Sequence, residues 1–368
     1  MTDTLPYGRR LAALREALAA EGLAGAVISR PQHLFYFTGA MPDANPAFLV
    51  VWDAGAVAVA TAPMGDHDTV TYSAYDIWKG WNIAEAAATA LGEAFRRSGI
   101  RPGVIGAELP HLPSAYVRQM PSETDAVREL EPLLWSIRKV KDAGEIARIE
   151  ANVAANDRAF EALRSALRPG MAELDAWTVI YRSICGSAGR PVRIEADLGA
   201  GPRGVNPDHQ AGNNLLQAGD AVFVDIYSAT GGYYADTTRV FTLGKPTAKQ
   251  REVHGVLQEA LAAGEAMLRP GTPSNQVDAA VRGVITRAGY GDNFPHHSGH
   301  TYGLFQQERP YLVPAEPMPL EAGMVATLEP GIYIQGWGGM RLEGNWVIEA
   351  GGARRLDRYQ TDMTVCRI

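Results

Sequence analysis

Cysteine is nearly absent: the 368 residues contain two, Cys185 and Cys366. So few, so far apart, exclude a disulfide framework and a zinc-thiolate cluster, and point to a reducing compartment. Both are expected to be buried, free and inert. Excess basic charge is also missing. A formal net charge of −7 leaves no general positive field to neutralise phosphates, so no nucleic-acid partner is expected. Nor is there an uninterrupted apolar run of about 18 residues, the length a membrane helix needs. The opening stretch MTDTLPYGRRLAALREALAAEG is charged and amphipathic and lacks the apolar centre of a signal peptide. A soluble, cytoplasmic protein without a membrane partner is the expectation. What is present is material for a core, with 46% apolar residues, in a chain long enough for two ordinary domains.

The first third alternates strand and helix patterns. Leu11, Leu14 and Leu18 recur at helical spacing before Gly22, which stands where a helix cap would. Strand-like runs follow at 24–29, 48–52, 56–61 and 104–108, with a helical run at 85–97, so a small α/β domain is predicted over residues 1–135. No chemistry is evident there. Tyr36, Trp78 and Trp81 read as packing or interface residues. The pattern changes across Trp135–Asp142, and residues 136–368 are predicted to form a second domain. It opens with a helix over 142–167 that carries Ile146, Ile149, Val153, Phe160 and Leu163 on one side.

That domain repeats itself weakly. Leu167-Arg168-Pro169-Gly170, between two helical runs, recurs 101 residues later as Leu268-Arg269-Pro270-Gly271. Leu216-Gln217-Ala218-Gly219, which leads into a hairpin pattern (AVFVDIYSATGGYYADTTRVF, 221–241), recurs 104 residues later as Leu320-Glu321-Ala322-Gly323. Duplicated helix-helix-hairpin units about a pseudo-twofold axis give such ordered echoes. The overall class is therefore α/β (α+β).

The hairpin carries Asp225 deep in an apolar strand, and Asp236 on the return arm. An ionised buried carboxylate is paired, protonated or bound to a cation. Salt bridges from Arg239 and Arg341 to Asp236 and Glu343 are one solution. The repeat offers another, because the 104-residue offset carries Asp225 onto Glu329 and a few more residues carry Asp236 near Glu343. Four acids converging on one axis, with an imidazole from Phe294-Pro295-His296-His297-Ser298-Gly299-His300, suit two divalent ions that activate a bridging water.

These residues resemble the M24 pita-bread metallopeptidases, which comprise prolidase, aminopeptidase P, methionine aminopeptidase and creatinase. The likeness rests on Asp225 with Asp236-Thr237-Thr238-Arg239, Gly299-His300 with Gly303-Leu304, Glu329-Pro330-Gly331, and Arg341-Leu342-Glu343. Residues 137–146 resemble the entry into the catalytic domain, and the preceding residues resemble a creatinase/prolidase-type N-terminal domain. The resemblance implies a pita-bread fold and two divalent metal ions, most often manganese, with cobalt, zinc or iron as alternatives. Asp225 would be a terminal ligand of one ion, His300 and Glu329 would bind the other, and Asp236 and Glu343 would bridge them. Glu329 would also be the acid/base group. His209 and His296 fall at catalytic positions, and His209, Gln307 and Arg341 at substrate-binding ones, while His297 reads as structural.

The implied reaction is cleavage of Xaa-Pro bonds in dipeptides or short peptides. The implied assembly is a homodimer in which the N-terminal domain lies near the partner's active site and restricts substrate length. One departure is plain. Where the peptidases carry His-Glu-x-Pro, this chain has Gln307-Glu308-Arg309-Pro310, and Gln307 donates a hydrogen bond but exchanges no proton. Gly344 replaces a common Asp. A creatinase-like or lyase-like enzyme on a small non-peptide substrate, and a non-enzymatic interaction module, are the alternatives.

Overall fold

The computed structural model describes residues 6–366 apart from Asp76, Lys79, Trp81 and Glu123. The chain divides into two compact units, Met1–Lys139 and Val140–Ile368. The first carries helices α1 (Tyr7–Ala20), α2 (Pro31–Thr38), α3 (Ile83–Arg97), α4 (Ser114–Val117) and α5 (Glu131–Arg138). Its strands are β1 (Gly25–Ile28), β2 (Phe48–Trp52), β3 (Gly55–Ala60), β4 (Thr69–Thr71), β5 (Gly103–Ala107) and β6 (Thr124–Glu129), in one sheet of order β4-β3-β2-β1-β5-β6. Asn82 caps α3 by accepting from the Glu85 amide, and Ala87, Leu91, Ala94 and Phe95 bury its apolar side with Val50, Val57 and Val59. Tyr36 is buried, with the Arg10 guanidinium over its ring. Trp78 is 88% exposed, so it is not a core residue, and Trp81 lies outside the described residues.

The second unit starts with α6 (Ala143–Ala166), whose first turn is closed by a capping box between Asp142 and Glu145. It continues with α7 (Glu173–Ala188), β7 (Arg193–Ala200), β8 (Ala221–Thr230), β9 (Tyr233–Leu243), α8 (Ala248–Met267) and α9 (Ser274–Arg287). The remaining strands are β10 (His300–Thr301), β11 (Glu308–Tyr311), β12 (Val325–Leu328), β13 (Gly331–Ile334), β14 (Gly338–Arg341), β15 (Gly344–Glu349), β16 (Gly352–Arg355) and β17 (Thr364–Cys366). They form sheets of order β17-β9-β8-β7 and β11-β10-β12-β15-β16, and a β13-β14 ribbon.

The duplication is visible in single hydrogen bonds. Gly170 donates to the Leu216 carbonyl at 2.8 Å and Leu216 returns a bond to Met171 at 2.9 Å. In the second half Gly271 donates to Leu320 at 2.8 Å and Leu320 to Thr272 at 2.9 Å. Bridges Ala172–Leu215 and Pro273–Pro319 complete the match. Each Leu-Arg-Pro-Gly turn thus ties a helix pair to the segment that enters its sheet, which explains why the two echoes travel together.

Strands β8 and β9 are joined by Gly231-Gly232, both with positive φ (59° and 88°), as a two-residue turn between paired Thr230 and Tyr233 requires. Helix α6 is pinned to this hairpin by polar groups on its buried side. Asn152 donates to the carbonyls of Ser228 and Tyr233 at 2.7 and 3.0 Å, Asn156 to that of Ile226 at 2.9 Å, and Ser228 Oγ donates to both asparagines. These bonds satisfy strand carbonyls that the helix would otherwise bury unpaired. They fix the hairpin against α6, and with it Asp225 and Asp236.

Candidate active site

Of the five residues expected to converge, Asp225, Asp236, His300 and Glu329 line one cavity of about 460 Å³, and Glu343 lies beside it within reach of Asp225 and Asp236. Asp225 sits on β8, Asp236 on β9, and Glu343 between β14 and β15; these three present ligand atoms within 4.8 Å of one another. Glu329, at the end of β12, places Oε1 3.5 Å from His300 Nε2, and Asp236 Oδ2 lies 3.8 Å from the same nitrogen. His300 reaches this point because Gly299 precedes it: a Cβ there would stand 2.1 Å from the Thr327 carbonyl oxygen, and its φ of +148° favours glycine. A larger groove of about 720 Å³ in the N-terminal unit, bordered by Tyr72, Glu85 and Arg97, holds none of these groups.

The arginines do not neutralise the acids in the pairs offered above. Arg239, fully buried, donates to Asp357 Oδ2 at 2.6 Å and to the carbonyls of Tyr359, Gln360 and Glu343. Arg341 donates to Asp225 Oδ2 at 2.5 Å, with Asp197 3.6 Å away. Glu343 is held by hydroxyls instead, from Thr327 at 2.5 Å and Thr238 at 2.9 Å. Asp225 Oδ1, Asp236 Oδ1 and Glu329 Oε1 are buried without a hydrogen-bond partner. Orphaned oxygens of that kind are the signature of a cation site.

Electrostatics agrees. Burial, with the charges of Asp225 and Glu329, pushes Asp236 well above the usual carboxylate range, and burial with Asp236 and Asp225 does the same to Glu343. For Glu329 the penalty of burial is outweighed by His297, His300 and His296, which hold it below that range. Burial lowers His300 to about 4, so it is a neutral imidazole. Its Nδ1 bonds the Thr301 carbonyl at 3.0 Å, which leaves Nε2 free to ligate. A divalent ion fits this donor set on every count.

The wall of the cavity differs from expectation in three places. His209 does not line it but lies 3.2 Å from Glu173, and its neighbour Asp208 faces the cavity instead. His297, read as structural, lines the cavity with Nδ1 3.1 Å from Glu329 Oε1. Asp197, opposite Asp225 across β7 and β8, is a further acid, which burial and the Asp225 charge raise to about 7. Its place among Ala196, Leu198 and Ala200, the apolar half of β7, is the signal that could have found it. His296 lines the cavity as expected, its Nε2 3.1 Å from the Tyr333 hydroxyl and its Nδ1 2.8 Å from the His297 carbonyl. Gln306 and Gln307 lie on the wall, Gln306 donating to Asp236 at 3.3 Å.

Family models match both units: the creatinase/prolidase N-terminal domain over residues 10–140, and metallopeptidase family M24 over residues 147–350. The chain belongs to metallopeptidase family M24. Its fold is accordingly the pita-bread fold preceded by a creatinase-like domain, and it is a metallopeptidase. This M24 chain is 33% identical to a probable dipeptidase PepE of Mycobacterium tuberculosis, over 99% of its own length and 97% of the relative's. It is 28% identical to an Xaa-Pro dipeptidase of Lactobacillus helveticus, with 93% and 95% covered. The crystal structure of dipeptidase PepE from Mycobacterium ulcerans superposes with a TM-score of 0.80 at 29% identity, over 100% of this chain and 99% of that one.

Proposed function

We propose that this M24 metallopeptidase is a dinuclear-metal-dependent hydrolase of the prolidase or aminopeptidase P type, which cleaves Xaa-Pro bonds in dipeptides or short peptides. The observation that carries the reading is the enclosed set of Asp225, Asp236, His300, Glu329 and Glu343, whose orphaned oxygens call for cations. The names of the full-length relatives support the substrate class. Asp225, Asp236 and Glu343 would hold one ion, and His300 and Glu329 would hold the other, with Asp236 and Glu343 shared. When bound, the ions would polarise the scissile carbonyl and make water acidic enough to attack near neutral pH. The all-carboxylate position suits manganese.

The protein groups do the rest. Glu329, kept ionised by its histidine neighbours, takes the proton that the attacking water loses and returns it to the departing proline nitrogen. Gln307 donates a hydrogen bond to the carbonyl oxygen as charge develops on it. Arg341, bonded to Asp225, contributes positive charge to the substrate-facing wall. Tyr333 links it onward, its hydroxyl 3.4 Å from Arg341 Nη1 and 3.1 Å from His296 Nε2. We place the protein in the cytoplasm as a homodimer, in line with its scarcity of cysteine and its family. Assay of Xaa-Pro dipeptides and tripeptides with manganese or cobalt tests the reading, and absence of turnover with metal bound overturns it.

A second reading keeps the metals and changes the substrate. It is favoured by Gln307 and Asp208 on the wall where imidazoles were expected. On this reading the substrate is a small non-peptide molecule, and a screen of amidino, cyclic-amide and sulfonium compounds separates it from the first.

A further inference from the structure

The cavity wall is unevenly charged. Asp225, Asp236, Glu329 and Glu343 are the carboxylates that two divalent ions would neutralise, and apart from them the wall carries Asp197, Asp208 and Arg341. Arg341 is engaged by the protein at every nitrogen. Its Nε donates to Thr238 Oγ1 at 3.1 Å, and its Nη1 to the Pro207 carbonyl and the Tyr333 hydroxyl at 3.4 Å each. Its Nη2 donates to Asp225 Oδ2 at 2.5 Å, with Asp197 Oδ2 3.6 Å away. Asp197 also accepts from the Gln210 side chain at 2.6 Å. Asp208 differs. It is exposed and lines the cavity, and among the described residues no group bonds or pairs with its carboxylate.

The direction of Asp208 is built into the chain. Its amide donates to Asn206 Oδ1 at 3.2 Å, and the Pro207 carbonyl before it is the one that Arg341 reaches. The His209 carbonyl after it accepts from the Leu198 amide at 2.8 Å, beside a bridge between Asp197 and Gln210. Neighbours on both sides are thereby tied to β7 and β14, which holds Asp208 toward the cavity. Its charge reaches Asp197, adding to the burial and the Asp225 charge that raise that carboxyl. An unpaired carboxylate on the wall of a binding cavity repels an anionic group and receives a cationic one through a charge-assisted hydrogen bond.

We propose that Asp208 selects substrates that present a cationic nitrogen to it, a protonated amine or a guanidinium. The inference rests on the reading that the cavity takes Xaa-Pro peptides over two ions, and it narrows that substrate class. The nitrogen is then the α-amine of Xaa or the side chain of a lysine or arginine at that position.

The test uses the manganese-loaded full-length protein and calorimetric titration. The ligands are Arg-Pro and citrulline-Pro amides in which carbon replaces the proline nitrogen, so that nothing is cleaved, together with their Nα-acetyl forms. Citrulline keeps the shape of arginine and lacks its charge. Asp208→Asn should weaken cationic ligands about 5–10-fold, the scale of a charged hydrogen bond at a partly solvated position, and leave the acetylated citrulline ligand unaffected. A loss confined to the arginine ligands assigns the side chain, and a loss that acetylation abolishes assigns the α-amine. Asp208→Glu should keep the preference in part. Asp208→Asn acting equally on all four ligands, or on none, overturns the proposal.

If none of the four binds, the Xaa-Pro reading fails, and butylguanidinium and butylurea, which contain no peptide unit, take their place. The wild-type protein should then favour butylguanidinium and Asp208→Asn should remove that preference. Equal behaviour of the two probes toward the wild-type protein overturns the proposal independently of the peptide reading.

Discussion

Lys141 and Glu308, 167 residues apart, form an ion pair at 3.0 Å with both side chains 1% exposed. Glu308 Oε1 also accepts from the Phe305 amide at 3.1 Å, so the pair anchors the loop that carries Gln306 and Gln307 to the start of the catalytic unit. Lys141→Met leaves a buried carboxylate uncompensated. The expected cost is about 3–5 kcal/mol, read as a lower denaturant midpoint, with proteolysis appearing first between Gly303 and Gln307. An unchanged midpoint would show that the pair contributes nothing net.

Metal removal should lower stability in a graded way. An ion present at 100 times its dissociation constant adds about 2.7 kcal/mol to the folded state, so chelator should depress the melting temperature and added ion restore it. The sign with pH is set by Asp236 and Glu343, both raised by burial and neighbouring acids. Protons compete with the ion for them, so affinity rises with pH and binding releases protons. Calorimetry in buffers of different ionisation enthalpy measures that release.

Gln307→His should restore the imidazole that the family pattern has at this place. On Xaa-Pro dipeptides the expectation is a gain in kcat of up to about 10²-fold, the scale of a single donor to a developing oxyanion, with little change in KM. A variant that gains nothing favours the non-peptide reading.

In the N-terminal unit the buried Glu108 accepts from the amides of Ser29 and Arg30 at 2.6 and 2.9 Å and faces His33 at 2.6 Å. Burial opposes its charge, but His33 and these amides prevail and hold its pKa below the ordinary 4.5. A depressed carboxylate contributes stability that is fully present above the unfolded value and is lost as pH falls through the folded one. The protection factors of the Ser29 and Arg30 amides, measured against the intrinsic exchange rate at each pH, should therefore fall on acidification below about pH 4.5. In Glu108→Gln protection should be lower from the outset and less dependent on pH.

Much of this was legible before any coordinates. The 104-residue offset located Glu329 from Asp225, because a duplicated unit must place its ligands at matched points of its strands. The Leu-Arg-Pro-Gly echoes marked the helix pairs, because each turn makes the same hydrogen bonds. What escaped was whatever depends on side-chain direction between elements distant in sequence. Asn152 and Asn156 interrupt an apolar helix face for the sake of strand carbonyls some 70–81 residues away, which no local pattern encodes. His209 and Asp208 adjoin in sequence, and only the bend of the chain after Pro207 decides which faces the cavity. His297 sits beside an expected residue in a run of histidines, and both rings line the cavity.

Arg239 gives the reaction centre a distant foundation. Its guanidinium bonds the Glu343 carbonyl on one side and Asp357, Tyr359 and Gln360 on the other, while the amides of Arg358 and Tyr359 are anchored to Asp157 on α6 at 2.8 and 3.1 Å. The stretch 357–360 lines no part of the cavity, yet it seats the strand that presents Glu343. Displacement of residues 357–360 would strand a wholly buried guanidinium and unseat a carboxylate of the candidate site. A fusion or tag that follows this stretch should be judged by metal content as well as by yield.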